Sequence, residues 1–205
     1  MKKLLITLLV GIIMDGIVCA DVITVNVADS GYYNNGSHNA TDRNYFVGGS
    51  GYEYNNFFVF DLSGIENATS ATFQLYTFGV YSPGTYTLYD VGTPISSLTA
   101  GGTGLTDTYN DLGSGLSYGS VAVNGGNSLI QITLNSNAIS SINSAGGLWA
   151  IGGSYDSSGT GAFHTSGSHS GNKLIVETIP EPSTLAFLGI FGGGLWVVRR
   201  YFPRV

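Results

Sequence analysis

Hydrophobic and polar positions alternate along most of this chain with the period of two that marks half-buried β-strands. Val22-Ile23-Thr24-Val25-Asn26-Val27 puts Ile23, Val25 and Val27 on one face, and Ala71–Tyr76 does the same with Phe73 and Leu75. Asn56–Leu62 is nearly continuous apolar, as expected of a strand central to a sandwich or buried on both faces. Thr85–Val91 follows a Ser82-Pro83-Gly84 turn, and further strands are predicted at Tyr118–Val123, Leu129–Leu134, Leu148–Ile151 and Lys173–Thr178. Gly, Asn, Ser and Asp punctuate these runs at the spacing of an antiparallel sandwich. One stretch breaks the pattern. Asn135–Asn143 offers an N-cap and then Ala138, Ile139 and Ile142 at helical spacing, so a single short helix is expected before Ala145-Gly146-Gly147.

Two apolar runs lie outside this alternation, one at each end. At the N-terminus Lys2 and Lys3 precede an apolar stretch from Leu4 to Met14 and a small-residue site at Val18-Cys19-Ala20, the layout of a secretory signal peptide cleaved between Ala20 and Asp21. Cleavage there removes Cys19, the only cysteine, so the body uses no disulfide and must rely on its packed core. At the C-terminus, Thr184–Val198 would form a helix roughly 22 Å long against a hydrocarbon core of about 30 Å. Arg199 and Arg200 favour a cytoplasmic C-terminus, the orientation the signal peptide also demands. Marginal length and three successive glycines, Gly192-Gly193-Gly194, suit a temporary inner-membrane anchor. The chain therefore divides into a signal peptide (1–20), a β domain (21–178) and a C-terminal segment (179–205) holding a single membrane-spanning helix.

Charge narrows the partners. Between residues 21 and 179 only Arg43 and Lys173 stand against eleven acids, a formal charge of −9. A surface so poor in cations cannot neutralise phosphates, which argues against nucleic acid and against anionic lipid headgroups. No serine sits in a nucleophile-elbow context, and His38, His164 and His169 lie in polar loops without metal-ligand spacing. A catalytic residue is therefore not assigned and no cofactor is expected. Asp107 and Asp111, and the Asp29…Asp42 loop, carry oxygen ligands that calcium would accept, solvated acids being the ordinary reading. A glycosidase would need two carboxylates facing across a cleft, which scattered acids do not indicate. Tyrosines beside polar loops are the remaining signal: Tyr32, Tyr33, Tyr52, Tyr109 and Tyr155 are candidate sugar contacts, since exposed rings stack on sugars while amides and acids bind hydroxyls.

Two segments resemble known families. Pro180-Glu181-Pro182-Ser183-Thr184, the apolar run Leu185–Val198 and the Arg199-Arg200 pair, in that order at the C-terminus, resemble the PEP-CTERM sorting signal of Gram-negative bacteria. The resemblance implies export by the general secretory route and recognition and processing by an exosortase, a membrane-embedded cysteine transpeptidase. It also implies association with exopolysaccharide and biofilm at the cell surface or in the matrix. Asn55-Asn56-Phe57-Phe58-Val59-Phe60-Asp61-Leu62-Ser63-Gly64-Ile65, followed by Ala68-Thr69-Ser70-Ala71-Thr72-Phe73-Gln74-Leu75-Tyr76, resembles the DNRLRE-type β-sandwich modules of bacterial surface proteins, with Asn55 and Asn56 where those modules often carry arginines. That resemblance implies a jelly-roll-like antiparallel sandwich. The expectation is an all-β, non-enzymatic exported protein whose partners are an exosortase during export and extracellular polysaccharide afterwards. The alternatives are a dedicated carbohydrate-binding module and a polysaccharide-degrading enzyme.

Overall fold

The computed structural model describes residues 20–49, 53–157, 163 and 171–179. Two units are distinguished: Val22–Thr178, and the chain ends Met1–Asp21 with Ile179–Val205. The first is the β domain. Of the expected targeting features, Ala20 and Asp21 are described, Asp21 being the first residue of a strand. The rest of the signal peptide, Pro180-Glu181-Pro182, the apolar run and Arg199-Arg200 lie outside the described residues. Among the described residues no helix is long and apolar enough to cross a membrane.

Among the described residues eight strands build the domain: β1 (Asp21–Asn34), β2 (Tyr54–Asp61), β3 (Ala68–Val80), β4 (Gly84–Tyr89), β5 (Ser117–Val123), β6 (Gly126–Thr133), β7 (Leu148–Ser157) and β8 (Lys173–Thr178). They run in the order β5-β4-β7-β2-β1-β8-β3-β6. Split at β1, this gives the four-strand sets 5-4-7-2 and 1-8-3-6, the order produced by the two Greek keys of a jelly roll. β1 belongs to both halves: its Val27–Asn34 stretch pairs antiparallel with β2 through a bulge at Val27/Asp29, and β8 is its other neighbour. The two outermost strands, β5 and β6, approach each other, with Asn135 N donating to Tyr118 O at 2.9 Å. Gly119 (φ +156°) permits that approach, because a Cβ there would stand 2.9 Å from Thr133 O. The sheet is thus nearly closed, which leaves little unpaired edge.

Each predicted strand is present, and β1, β3 and β7 run six to eight residues longer than their sequence pattern. β2 explains the architecture best. Phe58 and Phe60 point into the main core, where Phe73 meets them at 4.9 and 5.8 Å and Trp149 meets Phe60 at 6.0 Å. Phe57 and Val59 point the other way into a second, smaller core with Tyr33, Leu98, Leu112 and Ala150. Full burial of such a side chain is worth roughly 1.5–3 kcal/mol, so both faces of β2 contribute substantially.

The second core needs a cover, and here the expectation of one short helix is corrected. Among the described residues three helical segments are present: α1 (Ile95–Leu98), α2 (Thr106–Leu112) and α3 (Ser136–Ala145). α1 and α2 supply Leu98 and Leu112 to the second core and lie over the outer face of β2 and β7. The run Asp107–Asp111, to which the sequence pattern assigns no element, is helical for this reason. α3 is the predicted helix. Asn135 caps it by accepting from Asn137 N (3.0 Å) and Ala138 N (3.2 Å), and Gly146 ends it in the left-handed conformation (φ +60°).

A buried polar chain crosses the sandwich. The Tyr86 hydroxyl donates to Asn56 Oδ1 (2.8 Å), Asn56 Nδ2 donates to Tyr45 O (2.9 Å), and the Tyr45 hydroxyl donates to Tyr76 O (2.8 Å). Tyr86, Asn56 and Tyr45 are all fully buried. Burial disfavours the phenolate, pushing Tyr45 up to about 12 and Tyr86 further still. Gly153 borders this network, since a Cβ there would collide with the Tyr86 hydroxyl and Asn56 Oδ1.

Candidate functional site

The same packing that covers β2 and β7 with α2 leaves an open cleft of about 560 Å³ beside them. Four pieces of chain form it: Gly48-Gly49, Glu53-Tyr54-Asn55 at the start of β2, Tyr109-Asn110 of α2 with Gly113-Ser114 after it, and Ser154-Tyr155-Asp156 of β7. Backbone pairing brings the first two together, Gly48 N donating to Tyr54 O (2.8 Å) and Tyr54 N to Gly48 O (3.2 Å). Asn55, nearly buried, ties β2 to α2 by donating from Nδ2 to Tyr109 O at 2.9 Å. Gly113 must lack a side chain, because its Cβ would collide with the Asn55 amide. The cleft is therefore framed by strand and helix ends that are fixed by hydrogen bonds.

Its chemistry is polar and aromatic. Tyr109 is half-buried, and its hydroxyl donates to Glu53 Oε2 at 3.4 Å. Burial, and then the Glu53 carboxylate, raise its pKa. Tyr54 is also half-buried and continues the aromatic surface to Tyr32 (5.5 Å, edge-on) and Phe46 (6.0 Å). Tyr155 is nearly buried, packed on Phe163 at 5.9 Å with its hydroxyl donating to Ser82 O, so it lines the cleft with little open surface. Glu53 and Asp156 are exposed carboxylates on the same cleft.

The five tyrosines singled out from sequence thus separate. Tyr109 and Tyr155 line the cleft. Tyr32 stands one ring away, packed on Tyr54 and Phe46, its hydroxyl donating to Asp42 Oδ2 at 3.1 Å. Burial and the Asp42 carboxylate push it up to about 12. Tyr33 is a correction: it is fully buried in the second core, donates to Leu98 O at 2.8 Å and stacks on His38 at 4.9 Å. It offers no surface to a ligand. Tyr52 lies outside the described residues.

The calcium candidates are also placed differently from the sequence reading. Asp107 is exposed in the first turn of α2, whereas Asp111 accepts from Gly92 N (3.3 Å), Thr93 N (2.8 Å) and Thr93 Oγ1 (2.7 Å), holding the 91–94 segment. The carboxylate of Asp111 is thus occupied by the protein. Among the described residues no three His, Cys, Asp or Glu side chains converge as a metal site would require. His38 is nearly buried and donates from Nδ1 to Tyr32 O at 2.9 Å, since a carbonyl can only accept. His164 and His169 lie outside the described residues.

Sequence reasoning missed Glu53, Asn110, Ser114, Ser154 and Asp156 as a group. Asn55 carried the one usable signal, an amide at the head of an apolar strand.

No protein-family model matches the chain, and no curated protein matches it. Among solved structures it is similar to a carbohydrate-binding module of Cellvibrio mixtus lichenase 5A in complex with cellotriose. That likeness has 13% identity, a TM-score of 0.32, and covers 78% of this chain and 98% of the other. It is also similar to the K1 cleaved adhesin domain of Lys-gingipain from Porphyromonas gingivalis W83, at 8% identity and a TM-score of 0.32, covering 78% and 99%. Likenesses this distant say nothing of what the chain binds.

Proposed function

We propose that this chain is an exported, non-enzymatic surface or matrix protein whose sandwich binds extracellular polysaccharide in the cleft between β2, α2 and β7. The observation that supports this reading is the cleft itself: half-buried tyrosines, amides, hydroxyls and carboxylates on one open surface of about 560 Å³. Sugars are recognised by that combination, ring faces on aromatic surface and hydroxyls on fixed polar groups. The test is affinity electrophoresis through a gel containing the host's own exopolysaccharide. The protein is expected to be retarded and Tyr109→Ala to migrate faster; no retardation of either would overturn the reading.

Delivery rests on the two chain ends. The signal peptide exports the chain, the apolar tail holds it transiently in the inner membrane, and an exosortase acting at Pro180-Glu181-Pro182 releases it. Mass spectrometry of the surface protein is expected to find a form lacking Arg199–Val205; an intact tail there would refute the processing step. Glu53 and Asp156 share the cleft, so hydrolysis is the specific competitor. No new reducing ends are expected on incubation with the polymer. Their appearance, abolished by Glu53→Gln, would make the protein a glycosidase instead.

A further inference from the structure

The cleft has a charge sign as well as a shape. Glu53 and Asp156 both line it, and both are exposed. Among the described residues no lysine or arginine lines the cleft with them. Arg43 donates to Ala28 O at 3.2 Å and lies 3.5 Å from Asp29 Oδ1, and Lys173 sits on β8 opposite Gln74. These are the only two such cations between residues 21 and 179, and neither lines the cleft. A net −9 body adds a long-range field of the same sign.

We infer that the cleft selects glycans by charge, taking a polysaccharide with free amino groups in preference to a neutral one and rejecting uronate or sulfated polymers. This rests on the glycan-binding reading above and adds the class of sugar. A sugar ammonium on this surface gains a charge-assisted hydrogen bond from the Glu53 or the Asp156 carboxylate, both of them exposed. Tyr109 and Tyr54 line the same cleft, and aromatic rings attract cations over their faces. A uronate on that surface meets Glu53 and Asp156 as like charges, which costs affinity at every sugar that carries one. Among the described residues, the bond that Glu53 accepts from the Tyr109 hydroxyl is long at 3.4 Å.

The experiment is calorimetric titration of the purified full chain with three oligosaccharides of equal length: glucosamine, N-acetylglucosamine and galacturonate oligomers. Affinity is expected to fall in that order, with salt weakening the first. Glu53→Gln and Asp156→Asn are each expected to cut the glucosamine-oligomer affinity about three- to five-fold, the range of an exposed ion pair. Asp107→Asn, an exposed acid outside the cleft, is the control and should leave the titration unchanged. Equal or tighter binding of the N-acetylated or galacturonate oligomer overturns the charge inference while leaving glycan binding standing. Equal loss in Asp107→Asn also overturns it, because the effect would then be a diffuse field. If none of the three oligomers binds and the host polysaccharide gives no retardation, the underlying reading fails with it.

Discussion

Replacing Tyr86 by phenylalanine removes one oxygen from the centre of the sandwich and nothing else. That hydroxyl donates to Asn56 Oδ1 at 2.8 Å, and both residues are fully buried. Asn56 cannot turn its amide to find a new partner, because Nδ2 is already committed to Tyr45 O at 2.9 Å. The variant therefore leaves a buried carbonyl oxygen unpaired, at a cost of about 1–3 kcal/mol. The ring still packs edge-on against Phe163 at 4.8 Å, so a large cavity does not add to the loss. For a domain of this size about 2–4 °C of Tm follows each kcal/mol, which gives a fall of roughly 2–12 °C. Thermal and urea denaturation of Tyr86→Phe would measure it. Tyr109→Phe is the comparison, since its hydroxyl sits at the cleft with a 3.4 Å contact and should change stability by less than about 0.5 kcal/mol. Equal stability of the two variants would refute the claim that the Tyr86–Asn56–Tyr45 chain holds the sandwich.

Asn135→Ala removes the acceptor for Asn137 N and Ala138 N at the head of α3 and also its 2.7 Å donation to Ser117 O. A loss of about 1–2 kcal/mol is expected, read as a lower urea midpoint with an unchanged slope; no shift would show that the cap contributes nothing. His38 sets an acid-side dependence. Burial lowers its pKa, the bond to Tyr32 O and the Asp29 and Asp42 charges opposing only in part. The unfolded chain takes up the proton first, near pH 6.5. The stability that the neutral ring contributes is thus complete above about pH 6.5 and is lost as pH falls toward the folded pKa. His38→Gln should flatten the stability curve below that pH; an unchanged curve would place the acid sensitivity elsewhere.

Much of the fold was legible because each strand carries its own local signal. Alternation marks β3, and an unbroken apolar run marks β2 as doubly buried. The parts not legible have the opposite character. The second half of β1, Asp29–Asn34, is polar and becomes strand only because β2 lies beside it. Gly152 and Gly153 lie past the predicted Leu148–Ile151 strand, yet they fall within β7. A Cβ on Gly152 would stand 2.6 Å from Leu112 O, so the strand is glycine there because α2 lies against it. α1 and α2 are too short to show a helical period and exist to cover Phe57 and Val59.

The candidate site divides along the same line. Tyr33 and Tyr109 are the same residue type in similarly polar neighbourhoods, and sequence treated them alike. Packing sends Tyr33 into the second core and leaves Tyr109 on the cleft. By itself the sequence determined the mostly β class, the capped helix at Asn135, and the acidic charge of the body. Those properties depend on residues near one another along the chain or on a simple sum of charge. Only the tertiary structure decided which tyrosines face solvent, that Asp111 is spent on the 91–94 segment, and that Glu53 and Asp156 share one cleft. Glu53 and Asp156 are separated by most of the domain in sequence, and only the packing of β2, α2 and β7 brings them to the same surface.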